Sequence, residues 1–529
     1  MLARGGLRRK APRLLSVSAM LVAGLCLLPV IYLLVRCWEM GSDFWPVLFR
    51  SRTAIILWNS VSLAAAVTVS SALLGVAIAW LTVRTDLPGR SFWSVVTCLP
   101  LVLPSYVGAF AFIAAFGPHG MLQQLLAPWG VTRLPSIYGF GGAWWVLTIF
   151  SYPYILLSVR AGLRGLDPSV EEAARCLGRS GPQVFREIIL PHLRPSIAAG
   201  ALLVALYTLS DFGAVSLLRY DAFTRAIFIQ YTGALDRGAA AVLALLLVGL
   251  TLMILYGEYK MRGRARYYRP SAGTMRRQPL VSLGAWRWPL VGVLSVLTFI
   301  SLGIPISVIV YWLVQDPDRW LHLWQSVDMT LNSVTASGFA AAAALLAGIP
   351  VVLFAVRYPS RCARWVERSA YIGHALPGIV VALSLVFFGI RWGGIFYQSF
   401  PMLIMAYVVL FLPLSIGNLR AVLLNVSPRL EEAARTLGQT PRGALWTVTL
   451  PLLKPGAMTG MSLVFLTSMK ELPATLILGP TDFQTLATRI WSATEEALFA
   501  RAASPALILL LVSGLSVWLI LHHENSGHT

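Results

Sequence analysis

The chain has 529 residues, of which 57% are hydrophobic and only 12% are charged. Because soluble globular domains carry about 25% charged residues, this composition excludes a soluble domain and indicates a membrane protein. The excess of 42 Lys and Arg over 22 Asp and Glu is therefore typical of basic cytoplasmic loops and does not indicate a nucleic-acid partner.

Runs of about twenty apolar residues predict twelve transmembrane helices, and hence an all-α polytopic membrane protein. The N-terminal run is long enough to span a membrane, so we interpret it as a retained helix and not as a signal peptide. The first six spans are predicted at residues 14–36, 56–83, 94–116, 143–163, 196–218 and 238–256. The second six are predicted at residues 288–314, 333–355, 370–390, 401–423, 456–478 and 503–521.

The two sets of spans are an internal duplication. A spacing of 260 residues separates Glu171 from Glu431 and also Pro153 from Pro413, whereas further upstream Pro104 and Pro377 are 273 residues apart. The first half is therefore longer in the outer loop between its third and fourth spans. Because each half has an even number of spans, the halves are predicted to be parallel repeats. The predicted domains are a first half at 1–257, a basic cytoplasmic linker at 258–286 and a second half at 287–529.

The basic residues predict the orientation. Clusters at the N-terminus, at Arg84 and Arg90, at 164–194, in the linker, at 357–368 and at 429–454 all fall on one side if the spans alternate. Since positive charge is enriched on the cytoplasmic side, both termini are expected to be cytoplasmic.

The most similar parts of the two halves are polar segments on that side. Residues 171–195 and 431–455 are identical at 11 of 25 positions. In the first copy Asp167-Pro168 is a typical helix start and Gly178 a typical stop, and a second short helix is predicted from Pro182 to Ile189. Ser427-Pro428 and Gly438 occupy the same places in the second copy.

Both copies share one motif: Glu-Ala-Ala, then Gly after three further residues, and then, after nine more, a four-residue segment x-x-Leu-Pro whose first residue is Ile in the first copy and Val in the second. This pattern resembles the signature loop of permease subunits in binding-protein-dependent ABC importers, and the resemblance covers the chain as two fused halves of the type I permease fold. It implies that residues 167–195 and 427–455 form coupling loops that dock on ATPase subunits. The residues implied to couple are Glu171, Glu172, Ala173, Ala174, Gly178 and Pro191, and Glu431, Glu432, Ala433, Ala434, Gly438 and Pro451.

The energy source is expected on other polypeptides. Only four lysines occur and none follows a glycine, so the sequence has no GxxxxGK[ST] phosphate-binding loop. We expect a permease that is not an enzyme and binds no cofactor itself, with ATP and Mg²⁺ on two copies of a cytoplasmic ABC ATPase. The resemblance also implies a bacterial inner membrane location and a periplasmic or extracellular substrate-binding protein, which would contact outer loops 117–142, 219–237 and 479–502.

Charged residues occur at equivalent positions within both predicted fifth spans. They are Asp211 in the first half and Lys470 with Glu471 in the second. A charge at a helix centre costs about 2.5–3.5 kcal/mol on insertion scales, so such residues face a cavity or a partner. Three interpretations remain open: an ion pair between Lys470 and Asp211 across the repeats, a gate or a contact on the translocation path, or span boundaries that are misplaced here.

The substrate is the least determined feature. The stretch from Ser468 to Trp491 resembles the corresponding region of fused ferric iron permeases, although the first half has Asp211-Phe212-Gly213 where the second has Glu471-Leu472-Pro473. Permeases for thiamine, polyamine, sulfate or phosphonate are the alternatives, and an ion-coupled secondary transporter is the alternative of another class. The scattered cysteines and histidines indicate no metal site.

Overall fold

A computed structural model describes residues 11–234, 236–261 and 280–526. The basic residues 262–279 of the predicted linker and the N-terminal basic cluster at 4–10 lie outside the described residues. Within the described ranges the chain is helical, and its one extended pairing is an isolated bridge between Thr85 and Val281. Eleven described segments are long and apolar enough to cross a membrane, and residues 499–515 form a shorter apolar helix. The all-α polytopic fold is thereby confirmed.

Among the described residues, twelve helices correspond to the twelve predicted spans, in two sets of six. The first set is α1 (Arg13–Glu39), α2 (Ser51–Arg84), α3 (Ser105–Phe116), α4 (Phe140–Arg164), α5 (Leu190–Ser210) and α6 (Arg237–Met261). The second set begins with α7, which comprises Arg287–Thr298 and Ile304–Gln315 joined by a π turn at Phe299–Gly303. It continues with α8 (Arg319–Arg357), α9 (Gly378–Phe388), α10 (Phe400–Asn425), α11 (Leu450–Met469) and α12 (Phe499–Ser526).

The third span of each half is shorter than predicted. Helix α3 begins after Pro104 and α9 after Pro377, each proline lying in extended backbone. A proline lacks an N–H donor and disfavours helical backbone at the residue before it, so the helix cannot run through this point. The preceding parts of the predicted spans form separate helices at Arg90–Val96 and Arg361–Ile372.

The first helix of each half packs against the other half as well as against its own, an arrangement that we call the exchange of first helices. Helix α1 packs against α8 and α9 of the second half, and α7 packs against α3 of the first. Small side chains allow the close approach of α1, because its fully buried Ala19 and Cys26 share a core with Ala344 of α8. An ion pair between Glu39 and Arg391 joins the end of α1 to the π turn Gly389–Gly393 that follows α9. Neither half therefore contains its whole core.

The end of the predicted linker is attached to the first half. The Val281 N–H donates to the Arg84 carbonyl at 2.8 Å, and the Asp86 N–H donates to the Val281 carbonyl at 3.1 Å. The Asp86 carboxylate accepts from the Leu283 N–H at 2.8 Å and from the Arg287 guanidinium at 3.0 Å. Residues 281–287, just before α7, are thus fastened to the end of α2.

Candidate functional site

A short amphipathic helix follows α4 in the first half and α10 in the second. We call Pro168–Cys176 the first loop helix and Pro428–Thr436 the second loop helix. The Asp167 carboxylate caps the first by accepting from the Ser169 N–H at 3.0 Å, and this bond lowers the pKa of Asp167. In the second copy the Ser427 hydroxyl accepts from the Arg429 N–H at 3.4 Å. Both loop helices start where the sequence predicts.

Both loop helices end at a glycine in the left-handed region. Gly178 has φ +81° and Gly438 has φ +89°. Beyond them the Arg179 N–H donates to the Ala174 carbonyl and the Gln439 N–H to the Ala434 carbonyl, each at 3.1 Å. These six-to-one bonds are typical of the Schellman motif, which requires a positive φ at the glycine.

The predicted second short helix is not a separate element. In the first half Gly181–Val184 continues through a π turn at Phe185–Ile189 directly into α5, and in the second half Pro441–Ala444 continues through Leu445–Thr449 into α11. The π turns end just before the Leu-Pro pairs that contain Pro191 and Pro451. A proline within a helix removes an N–H and crowds the carbonyl four residues earlier, and the wider turn relieves that crowding. The repeated Leu-Pro therefore marks a helix irregularity and not a helix end.

An ion pair holds each loop helix to the end of a span, and it is fully buried in the first half and partly buried in the second. In the first half the Arg84 guanidinium binds the Glu171 carboxylate, with side chains 0% and 4% exposed. In the second half Arg357 binds Glu431 at 3.0 Å, with side chains 12% and 18% exposed. The Thr449 hydroxyl also donates to the Glu431 carboxylate at 3.0 Å. The loop helices are thus fixed to the ends of α2 and α8.

Sequence reasoning used these two arginines only for orientation. Arg84 and Arg357 are 273 residues apart, the same spacing as Pro104 and Pro377, whereas Glu171 and Glu431 are 260 residues apart. An arginine and a glutamate thus each occur in both halves, at the same spacing as the residues around them. This double occurrence is a sequence signal that could have identified the two ion pairs.

The remaining predicted loop residues divide between an inner and an outer face. Ala174 and Ala434 are buried, whereas Glu172, Ala173, Glu432 and Ala433 are exposed. Leu177 and Leu437, which precede the two glycines, are 84% and 86% exposed. Each loop helix therefore presents a protruding leucine to solvent beside its turn.

The predicted fifth spans are interrupted at their charged residues. Helix α5 ends at Ser210 and resumes only as Gly213–Leu217, and α11 ends at Met469 and resumes as Pro473–Leu478. We call residues 211–212 the first break and residues 470–472 the second break. The expectation of continuous helices at 196–218 and 456–478 is therefore wrong. The charged residues lie outside the helices, and their carboxylates accept hydrogen bonds from the short helix that follows each break.

The carboxylates at the breaks cap these short continuations. Asp211 accepts from the Ala214 N–H at 3.0 Å and the Val215 N–H at 3.3 Å, and the Ser105 hydroxyl also donates to it. An ion pair between Asp211 and Lys470 is not formed, and no described residue lies within ion-pairing distance of Lys470. The predicted ion pair between Lys470 and Asp211 is therefore wrong, and the carboxylates at the breaks cap helices instead.

The geometry defines a membrane transport protein of two interlocked, parallel halves, each with a cytoplasmic-type loop helix and an interrupted fifth span. The chain matches the family described as binding-protein-dependent transport system inner membrane component over residues 71–259 and again over 340–526. It belongs to that family. It is a multi-pass permease of an ABC importer, is not an enzyme, and works with an ATPase and a substrate-binding protein.

Three relatives show how far the similarity extends. The Fe(3+)-transport system permease protein FbpB 2 of Haemophilus influenzae is 34% identical over 516 residues, which cover 97% of this chain and 98% of the relative. The ferric transport system permease protein FbpB of Actinobacillus pleuropneumoniae is 24% identical, covering 92% of this chain and 74% of the relative. The sulfate transport system permease protein CysT of Salmonella typhimurium is 27% identical over 47% of this chain and 91% of its own.

Proposed function

We propose that this chain forms the translocation pathway of an importer for ferric iron. The observation that supports the substrate is the match to the Haemophilus influenzae Fe(3+)-transport permease along nearly the whole length of both chains. The sulfate permease matches about one half of this chain, so sulfate is the second candidate.

We also propose that two ATPase copies bind the chain, one at each loop helix. Two loop helices with caps at equivalent positions, the same glycine turn and equally protruding Leu177 and Leu437 suit two copies of one partner. The orientation that places these helices in the cytoplasm also places both termini there. The chain would lie in a bacterial inner membrane and open alternately to either side as the ATPases close and separate.

We propose that the two breaks form part of the translocation path. Lys470 and Glu471 are half-buried at the second break, and charged residues within a span are expected to face a water-filled space or a partner and not lipid. Interrupted helices at membrane depth are tolerated where they line such a space. Asp211, Lys470 and Glu471 therefore remain our candidates for the translocation path.

Uptake of radiolabelled ferric iron tests the substrate. Cells would express the chain with its ATPase and binding protein, and parallel assays would supply labelled sulfate and labelled thiamine. Ferric iron uptake that depends on this chain is expected, whereas sulfate or thiamine uptake without iron uptake would overturn the substrate and leave the permease assignment intact.

Substitution of the protruding leucines tests the docking. Leu177→Asp and Leu437→Asp place a charge on an apolar docking surface, so the ATPase should no longer co-purify with the permease. Leu125→Asp is the matched control, since Leu125 is 70% exposed in the outer loop of the first half. Equal ATPase recovery with all three variants would refute docking at the loop helices.

A further inference from the structure

A polar pocket lies where two spans of the first half end. Its volume is about 270 Å³, and its lining residues are Thr82, Val83, Arg90, Ser91, Ser94 and Arg164. They come from the end of α2, the end of α4 and the short helix Arg90–Val96, which we call the first side helix. Because one water molecule occupies about 30 Å³, the pocket has room for an anion of the size of a phosphate group.

The two arginines of this pocket have no counter-charge in the protein. None of the six lining residues is acidic, and among the described residues neither Arg90 nor Arg164 has an ion pair or a side-chain hydrogen bond. The carboxylates of Asp86, Asp167 and Glu171, which are the nearest in sequence, bind other groups. The pocket therefore combines positive charge with unused hydrogen-bond donors, a combination that attracts anions.

The second half has no such pair of arginines at the equivalent positions. At the 273-residue spacing of this region, Ala363 stands in place of Arg90. At the 260-residue spacing that applies to α4, Leu424 stands in place of Arg164. Both arginines of the pocket are thus particular to the first half.

The halves also differ in how a shared arginine is neutralised. Arg160 of α4 corresponds to Arg420 of α10, which forms an ion pair with Glu367 in the second side helix, Arg361–Ile372. In the first half Ser94 stands at the position of Glu367, and Arg160 donates to the Ser94 backbone carbonyl. The second half thus carries an internal carboxylate where the first half carries a neutral hydroxyl. An external anion is needed only in the first half.

Exposed apolar side chains alternate with the pocket-lining residues of the first side helix. Phe92 and Val95 are 60% and 59% exposed, whereas Trp93 between them is buried and anchors the helix. Since α2 and α4 both end at this point, the first side helix lies at the level where lipid headgroups meet acyl chains. Apolar residues beside basic ones are typical of a helix at this boundary, and a soluble anion would not require them.

We propose that this pocket binds the phosphate of an anionic phospholipid in the leaflet on the side of the loop helices. This site goes beyond the proposed function and does not depend on the transported substrate. Guanidinium groups bind phosphate through paired charge-assisted hydrogen bonds, and Arg90 and Arg164 provide them. The Ser91 hydroxyl, which has no hydrogen-bond partner among the described residues, is a further donor. Basic pockets between spans on the cytoplasmic side suit anionic headgroups.

The pocket adjoins the segments that hold the first loop helix. Val83 directly precedes Arg84, whose guanidinium binds Glu171. Arg164 lies three residues before Asp167, which caps the first loop helix. A bound headgroup therefore connects the ends of α2 and α4 beside that helix, and one headgroup per permease is expected.

Lipid binding by the purified permease–ATPase complex tests the site. The complex would be delipidated in detergent and titrated with phosphatidylglycerol or with phosphatidylcholine of the same acyl chains, and native mass spectrometry would count the bound lipids. We expect one phosphatidylglycerol to bind with an affinity about tenfold higher than phosphatidylcholine, since one hydrogen bond to a charged group contributes at least this factor. The double variant Arg90→Gln with Arg164→Gln should lose this preference.

The double variant Arg361→Gln with Arg364→Gln is the matched control. Both arginines are exposed on the second side helix and lie outside the pocket, so the same charge is removed from the equivalent helix. This variant should keep the preference. Ser94→Glu retains both pocket arginines but introduces the carboxylate that the second half has in Glu367, and it should weaken phosphatidylglycerol binding. Recovery of the ATPase with each variant checks that the complex has assembled.

Inorganic phosphate distinguishes a lipid site from a site for a soluble anion. At the same concentration as phosphatidylglycerol it should not compete, and competition on equal terms would overturn the assignment to lipid. A wild-type complex without preference for phosphatidylglycerol, or equal losses in the pocket variant and the Arg361/Arg364 variant, would overturn the pocket itself. Uptake of ferric iron enters none of these measurements, so the proposed function stands or fails separately.

Discussion

Arg84 and Glu171 form an ion pair that is almost completely excluded from solvent, and Arg357 and Glu431 repeat it in the second half with greater exposure. Each pair connects a loop helix to the end of the second span of its half. A movement imposed on a loop helix is therefore transmitted to α2 or α8 through a charged contact and not only through the chain. The two halves share this connection but differ in how deeply it is buried.

Breaking the buried pair should be costly. Glu171→Gln leaves the Arg84 guanidinium without its counter-charge, and loss of one partner of a buried pair costs about 3–5 kcal/mol. Glu431→Gln should cost less because solvent reaches that pair. Chemical denaturation of the purified permease would measure both.

The double variant Arg84→Met with Glu171→Met is the control for this prediction. Replacement of both partners by apolar groups removes the desolvation penalty together with the attraction, so it should restore much of the lost stability. If Glu171→Gln and Glu431→Gln reduced the free energy of unfolding equally, the difference in burial would have no energetic consequence.

Gly178 and Gly438 should tolerate added volume but not a changed backbone. A Cβ at either glycine would meet no atom within 4 Å, yet both have positive φ. The cost of Gly178→Ala should therefore be the left-handed backbone penalty of about 1–2 kcal/mol, and Gly178→Val should cost more. We expect such variants to reach the membrane in normal amounts while stimulated ATP hydrolysis falls.

Gly181 provides the matched comparison within the same loop. It also has open space around its Cβ position, but its φ is not positive. Gly181→Ala should preserve stimulated ATP hydrolysis, so equal losses in Gly178→Ala and Gly181→Ala would argue against a conformational role for Gly178.

The sequence predicted the repeats, the loop helices and their caps because these features are local or duplicated. Asp167, Gly178 and their counterparts act on residues within a few positions of themselves, so spacing alone identifies them. The 260-residue repeat then confirmed which local signals occur twice.

The interrupted spans were not predicted because hydropathy does not distinguish a continuous helix from a broken one. The segments around Asp211 and Glu471 remain apolar on both sides of each break. What interrupts them is a carboxylate that bonds the N–H groups of the following turn, and in the first half also Ser105, 106 residues away. Such long-range contacts depend on tertiary packing, as does the exchange of α1 and α7.

The attachment of residues 281–287 should be weak and sensitive to salt. The Asp86 and Arg287 side chains are 29% and 41% exposed, and exposed ion pairs contribute about 0.2–1 kcal/mol. Asp86→Ala also removes the acceptor for the Leu283 N–H. We expect little change in the free energy of unfolding but faster proteolytic cleavage near residues 281–287, with a smaller difference from wild type at high salt. Unchanged cleavage rates would show that the attachment does not protect this segment.

The exchange of first helices predicts how a split permease behaves. Residues 1–261 and 280–529 expressed together should assemble and co-purify without a covalent connection, because α1 packs on α8 and α9 while α7 packs on α3. Either piece expressed alone should aggregate, since the surfaces of Ala341 and Ala344 in the second half are covered by Ala19 and Cys26 of α1. A first piece that begins at residue 41, and so lacks α1, is the control and should recover less of the second piece. If the second piece, residues 280–529, were recovered alone as a monodisperse protein, α1 would contribute little to the stability of the second half.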